Sequence, residues 1–148
     1  MTTLAYDGRY TAIDTQITRG DTKYHQCKIV DIDRDTVAFT LGDLSQAMQA
    51  VEAIREGNEP PEGDYSLVVW NRDSGLYVHQ GDEDTVPVLT DTYAIGSGEQ
   101  AALAGLLAGK SAAEAVRLAS QVCLYTGAQV DVFDTRTGKR VKSVKKRS

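Results

Sequence analysis

The chain has 148 residues, 41% of them apolar and 25% charged, with a formal net charge of −5. That size suits one domain with a core of its own, without help from disulfides or metals. No apolar run approaches the roughly 20 residues of a membrane-spanning helix, which excludes a membrane role for the sequence as read. All seven basic residues after Asp134 lie in a stretch without acids, so the first 134 residues carry −12. An acidic body with no interleaved aromatics argues against nucleic-acid binding, and the tail Lys145-Lys146-Arg147 is expected to be solvated. The N-terminus carries neither a basic flank nor a signal-length apolar segment, so the expected location is the cytoplasm. There, Cys27 and Cys123, far apart and at no metal or redox spacing, are expected to be free thiols.

In chain order, Thr3-Leu4-Ala5-Tyr6 and Arg9-Tyr10-Thr11-Ala12-Ile13 flank Asp7-Gly8, which predicts a tight hairpin. With Asp7-Gly8 as the turn pair, Thr2 falls opposite Ile13 and beside Asp14. A second hairpin is predicted from Lys28–Asp31 and Thr36–Thr40 around Asp33-Arg34-Asp35, so four antiparallel strands open the protein. From Leu44 to Ile54 the apolar residues recur at three- and four-residue steps, a helical face. Asp43 with Gln46 resembles a capping box and Gly57 a stop. The stretch 58–63, with Pro60-Pro61, is a connector. A hairpin over Tyr65–Trp70 and Gly75–Gln80 is expected to begin a second sheet, with an edge strand over Thr85–Leu89.

Beyond Tyr93-Ala94-Ile95 the turn Gly96-Ser97-Gly98 opens an Ala- and Leu-rich helix that Gly109 ends. Ser111 and Glu114 form a capping box for a further helix, and residues 128–134 and 139–144 form a last hairpin. Helices following runs of hairpins favour antiparallel sheets covered by helices over a parallel βαβ series. The expected fold class is α+β, two stacked sheets between helix layers, with residues 1–144 as one domain and 145–148 as a basic tail.

Several chemistries can be set aside on residue types. His25 and His79 form no HExxH or clustered ligand set, so neither a metal nor another cofactor is expected. Gly96-Ser97-Gly98 is flanked by Ile95 and Glu99, which breaks the G-x-S-x-G elbow, and no Lys follows it at phosphate-loop spacing. What remains is the hydroxyl of Thr2, which becomes the first residue if Met1 is trimmed.

The ordered set Met1-Thr2-Thr3, residues 12–18, Lys28-Ile29, residues 38–43, Tyr93–Gly98 and Cys123–Gly127 resembles the proteasome β-subunit and HslV family of N-terminal-nucleophile (Ntn) hydrolases. The resemblance spans nearly the whole chain. It implies a four-layer αββα sandwich and a threonine endopeptidase, with an acyl-enzyme formed on Thr2 and hydrolysed by water. It further implies that Lys28 holds the Thr2 hydroxyl, that Asp14 pairs with Lys28, and that the Gly42 N–H binds the oxyanion. Ser97 and Thr126 would support the Thr2 amine. Cys123 stands where proteasome subunits carry aspartate, as in HslV-type members. The family's usual second outer helix before Tyr65 is replaced by the Pro60-Pro61 connector, so one helix layer is reduced. The implied partners are a polypeptide substrate, further copies in a ring and an ATP-dependent unfoldase. A catalytically silent ring scaffold and an Ntn amidase acting on a small molecule stay open as alternatives.

Overall fold

The computed structural model describes residues 2–81 and 85–141; Met1, the end of the last expected strand and the 145–148 tail lie outside the described residues. The elements run β1 (Thr3–Tyr6), β2 (Tyr10–Asp14), β3 (Gln16–Arg19), β4 (Thr22–His25), β5 (Ile29–Asp33), β6 (Thr36–Gly42) and α1 (Leu44–Arg55). They continue with β7 (Tyr65–Asn71), β8 (Gly75–Gln80), β9 (Val86–Pro87), β10 (Tyr93–Gly96), α2 (Glu99–Leu107), α3 (Ala112–Val122), β11 (Val130–Asp134) and β12 (Lys139–Val141). The fold is therefore α+β, with two antiparallel sheets and, among the described residues, three helices.

One sheet has the order β10-β1-β2-β11-β12 and the other β5-β6-β7-β8-β9. The opening strands are thus not one sheet followed by a second that starts at Tyr65. β1 and β2 join the C-terminal hairpin, whereas β5 and β6 join β7 and β8. Between them stands a hairpin the sequence did not announce, β3 against β4, paired with neither sheet. Its β4 residues are all exposed, so no alternation of apolar side chains marks it.

Period-two alternation sorts side chains between layers. Leu4 and Ile13 point to the core between the sheets, where they meet Phe39, Val68, Trp70 and Phe133. Phe133 presents edges to Phe39 at 5.7 Å and Trp70 at 5.0 Å, an arrangement aromatic rings favour. Their neighbours Ala5 and Ala12 point the other way, under Ala102, Ala115 and Val116 of α2 and α3. Ala38, Leu67 and Val69 likewise lie under Ala47, Ala50 and Val51 of α1. Both faces of the central strands are covered, which explains the unbroken apolar run in β7.

The first hairpin differs from expectation by two residues. Leu4 pairs with Ile13 and Tyr6 with Thr11, so the turn pair is Gly8-Arg9, Leu4 rather than Thr2 lies opposite Ile13, and by the same register Thr3 falls across from Asp14. The cause is the Asp7 side chain, whose Oδ1 accepts the N–H groups of Arg9 (3.0 Å) and Tyr10 (2.8 Å). Asp7 is thereby the residue before the turn, a position where Asx side chains compete well for backbone donors. In α1, Asp43 caps Gln46 N–H, but the Gln46 side chain accepts from Asp64 N–H rather than returning to the cap. The Ser111–Glu114 box is complete in both directions.

Candidate functional site

β1 ends where the two sheets open. Alternation directs Leu4 between the sheets, and so also Thr2, two residues earlier, while Thr3 points to the helix side. The Thr2 carbonyl is fixed by the Ser97 N–H at 2.9 Å, which continues the β1–β10 pairing past Gly96. Gly96 has φ +115°, and a Cβ there would lie 1.8 Å from the Thr2 carbonyl oxygen. Only glycine allows this approach. From the facing sheet, the residue before β5 delivers Lys28, whose Nζ donates to Thr2 Oγ1 and to the Gln16 carbonyl, each at 2.6 Å.

Lys28 is 4% exposed and Thr2 5%. Removing an ammonium from water requires compensation. Two oxygens supply it by hydrogen bonding, and Asp14 Oδ1 adds opposite charge at 3.6 Å. Burial lowers the Lys28 pKa and the Asp14 charge opposes that, leaving a net depression below the ordinary lysine value. Asp14 is 0% exposed and accepts three backbone N–H groups, from Thr3 (2.9 Å), Gln16 (3.3 Å) and Gly127 (3.0 Å). Those three donors belong to β1, β3 and the loop after α3, so one carboxylate gathers three segments around the lysine.

The Thr2 hydroxyl and Lys28 line a cavity of about 290 Å³ together with Thr18, Arg19, Thr40 and Gly42. Thr40 N–H donates to the Lys28 carbonyl at 3.0 Å. Strand alternation directs the Gly42 N–H, two residues further, to the same side of β6, beyond the start of β5. Gly42 has φ +84°, and a Cβ there would press on the Asp64 carbonyl at 2.8 Å. The backbone turns here into the α1 cap.

Ser97 and Thr126 meet on the helix side, their hydroxyls 3.3 Å apart. Thr126 Oγ1 lies 2.7 Å from Thr3 Oγ1, so its nearest hydroxyl partner is the second threonine. Cys123 caps α3. Burial raises its thiol pKa, but hydrogen bonds from Ser97, Thr126 and the Tyr125 and Thr126 backbone outweigh that, leaving it below the ordinary cysteine value. Cys27 and Cys123 are unpaired. His25 and His79 lie elsewhere, against Thr15 and Tyr65, and among the described residues no three His, Cys, Asp or Glu side chains gather as metal ligands.

The structure thus brings Thr2, Lys28 and Gly42 to one cleft, with Asp14 buried beside Lys28 and with Ser97, Thr126 and Cys123 behind the Thr2 main chain. Sequence reasoning missed Thr3, Gln16 and Gly96. Gln16 acts through its carbonyl, which no side-chain pattern reveals. The Thr-Thr doublet did carry a signal, because neighbours on a strand face opposite layers.

Two facing antiparallel sheets, with the Thr2 hydroxyl held against a buried lysine between them, define the fold class and its candidate site. The particular likeness is to the crystal structure of eukaryotic HslV from Trypanosoma brucei: TM-score 0.69 and 22% identity, over 89% of this chain and 97% of that one. The chain has the HslV fold. No family model matches the sequence, and no curated protein does.

Proposed function

We propose that the protein is a threonine-type peptidase whose nucleophile is Thr2, exposed by removal of Met1. The observation that carries this reading is the buried Lys28 ammonium 2.6 Å from the Thr2 hydroxyl, at the wall of an open cavity. The hydroxyl is a weak nucleophile at its free pKa and needs a base beside it. The freed α-amine, with a reference pKa of about 7.7–8.0, takes the proton as Oγ1 adds to the substrate carbonyl. Lys28, held charged by Asp14, stabilises negative charge developing on Oγ1. The Gly42 N–H stabilises the carbonyl oxygen as it becomes an oxyanion. The proton passes to the departing amine, the C–N bond breaks, and an ester on Thr2 remains. Water, deprotonated by the same amine, hydrolyses the ester and restores the hydroxyl.

The reading includes residues 1–144 as one domain, stacked as a four-layer αββα sandwich with the α1 side reduced. It also includes assembly into a homo-oligomeric ring in the cytoplasm that degrades polypeptides fed by an ATP-dependent unfoldase. A ring would confine the cleft and spare folded proteins. A silent scaffold is less well supported, because building a ring gives no reason to bury an ammonium against a hydroxyl, an arrangement that apolar residues commonly better in stability. A small-molecule amidase would share the chemistry but not the peptide substrate.

Hydrolysis of an unstructured fluorogenic casein by the purified chain tests the proposal. We expect turnover that Thr2→Ala abolishes and Thr2→Ser retains in part. Turnover unchanged in Thr2→Ala, or none by the Met1-free protein, would reject it.

A further inference from the structure

We propose that Thr3 is a positioning residue for this site, its hydroxyl heading a one-way chain through Thr126 that sets how Ser97 presents its proton to the Thr2 amine. The inference rests on the function proposed above. Thr3 is fully buried, and alternation along β1 turns it away from the cleft that Thr2 faces. Its Oγ1 has two polar neighbours, the Gly98 N–H at 2.8 Å and Thr126 Oγ1 at 2.7 Å. Thr126 Oγ1, itself buried, continues to Ser97 Oγ at 3.3 Å.

Proton counting gives the chain its direction. The Gly98 N–H can only donate, so Thr3 Oγ1 accepts there. If Thr126 also donated to Thr3, the Thr3 proton would be buried with no acceptor, which is a costly state for a donor removed from water. Thr3 therefore donates to Thr126, which frees the Thr126 proton for Ser97, whose oxygen is a better acceptor than the Cys123 sulfur that also neighbours it. Ser97, accepting from Thr126, has its own proton to place elsewhere, and an amine lone pair takes it in preference to the weakly accepting Cys123 sulfur. Its main-chain N–H already holds the Thr2 carbonyl, which ties Ser97 to the start of β1.

A donor aimed at the terminal amine favours the neutral, lone-pair form over the ammonium, which has no lone pair to offer. The neutral form is the base the reaction needs. Gly98 belongs to the same device: a Cβ there would fall 2.8 Å from Thr3 Oγ1 and 3.3 Å from Thr126 Oγ1, displacing both hydroxyls.

The test uses the full chain and measures peptide hydrolysis against pH for wild type, Thr3→Val and Thr3→Ser. Valine keeps the shape and removes the hydroxyl; serine restores it. We expect Thr3→Val to lower kcat about tenfold at neutral pH, the rate equivalent of one buried hydrogen bond. KM should be unchanged, with the acid limb of the profile shifted to higher pH. Thr3→Ser should stay within about twofold of wild type on the wild-type profile. A Thr3→Val enzyme with wild-type kcat and acid limb, or a Thr3→Ser enzyme as slow as Thr3→Val, overturns the inference. If Thr3→Val does not fold, Thr126→Val breaks the chain one hydroxyl further on, and an unaltered acid limb there overturns it equally. A wild-type chain without hydrolysis removes the proposed function and this inference together, whereas an active wild type with insensitive variants removes this inference alone.

Discussion

Lys28 illustrates how much one side chain is asked to do here. Its ammonium is nearly sealed from solvent, bonded to Thr2 Oγ1 and the Gln16 carbonyl, and faced by Asp14. Replacing it with methionine keeps the length of the side chain and removes the charge. Asp14 retains its three backbone donors, so Lys28→Met should fold, with stability lowered by roughly 3 kcal/mol for the broken buried pair. Its hydrolysis rate should fall about a thousandfold, the scale of a lost group acting directly on a nucleophile. A melt paired with a casein assay checks both; a folded variant with wild-type rate would remove Lys28 from the chemistry. Under the proposed function the same residue should govern the alkaline side of the pH profile. Because burial depresses its pKa, the charged form and the rate should be lost as pH rises through a value below that of an ordinary lysine. On the same proposal the acid side should belong to the Thr2 amine, protonated as pH falls. In stability the sign is opposite: the unfolded chain holds the lysine proton to higher pH, so the penalty for burying Lys28 shrinks as pH rises between its folded and unfolded values.

At the scale of elements, the site depends on how closely β10 approaches the start of β1. Gly96→Ala would place a methyl group on the Thr2 carbonyl and force a left-handed φ on a residue with a side chain. We expect hydrolysis to fall at least a hundredfold, the effect of displacing a reacting atom by about 1 Å, and the melting temperature to drop. Activity within a fewfold of wild type would show that β1 is not held by this contact. Elements with strong periodic or capping signals were legible in the sequence, α1 and the Ser111–Glu114 box among them. β3–β4 was not, because its polar, exposed residues carry no core-facing alternation, and its inner strand instead lines the cavity through Ile17, Thr18 and Arg19. The β1–β2 register slipped by two because the Asp7 carboxylate takes the Arg9 and Tyr10 N–H groups while its own N–H donates to the Tyr10 carbonyl, so Asp7 flanks the turn pair instead of belonging to it. A slip of two preserves which face each side chain takes, so Asp14 still reached the site, one residue along.

Across the whole molecule, the site is a product of stacking. Thr2 and Asp14 come from one sheet, Lys28 and Gly42 from the other, and the apolar layer of Leu4, Ile13, Phe39, Trp70 and Phe133 fixes their separation. Sequence order alone could place these residues on strands but not opposite one another. Asp14, Lys28, Gly42 and Ser97 were found through a family resemblance, and the likeness to HslV extends that resemblance to the fold of nearly the whole chain. The sheet membership of β5–β8 escaped the reading because each hairpin is local, whereas the pairing of β6 with β7 is made across α1 and the connector.

The proposed peptidase chemistry requires Thr2 as the attacking oxygen. Treating the purified protein with a peptide epoxyketone, which bonds to both the hydroxyl and the free amine of a terminal threonine, and mapping the adduct by mass spectrometry tests this directly. We expect a chain lacking Met1 with a single adduct on Thr2, absent from Thr2→Ala and strongly slowed in Lys28→Met. An adduct on any other residue, or none on the Met1-free chain, would contradict it.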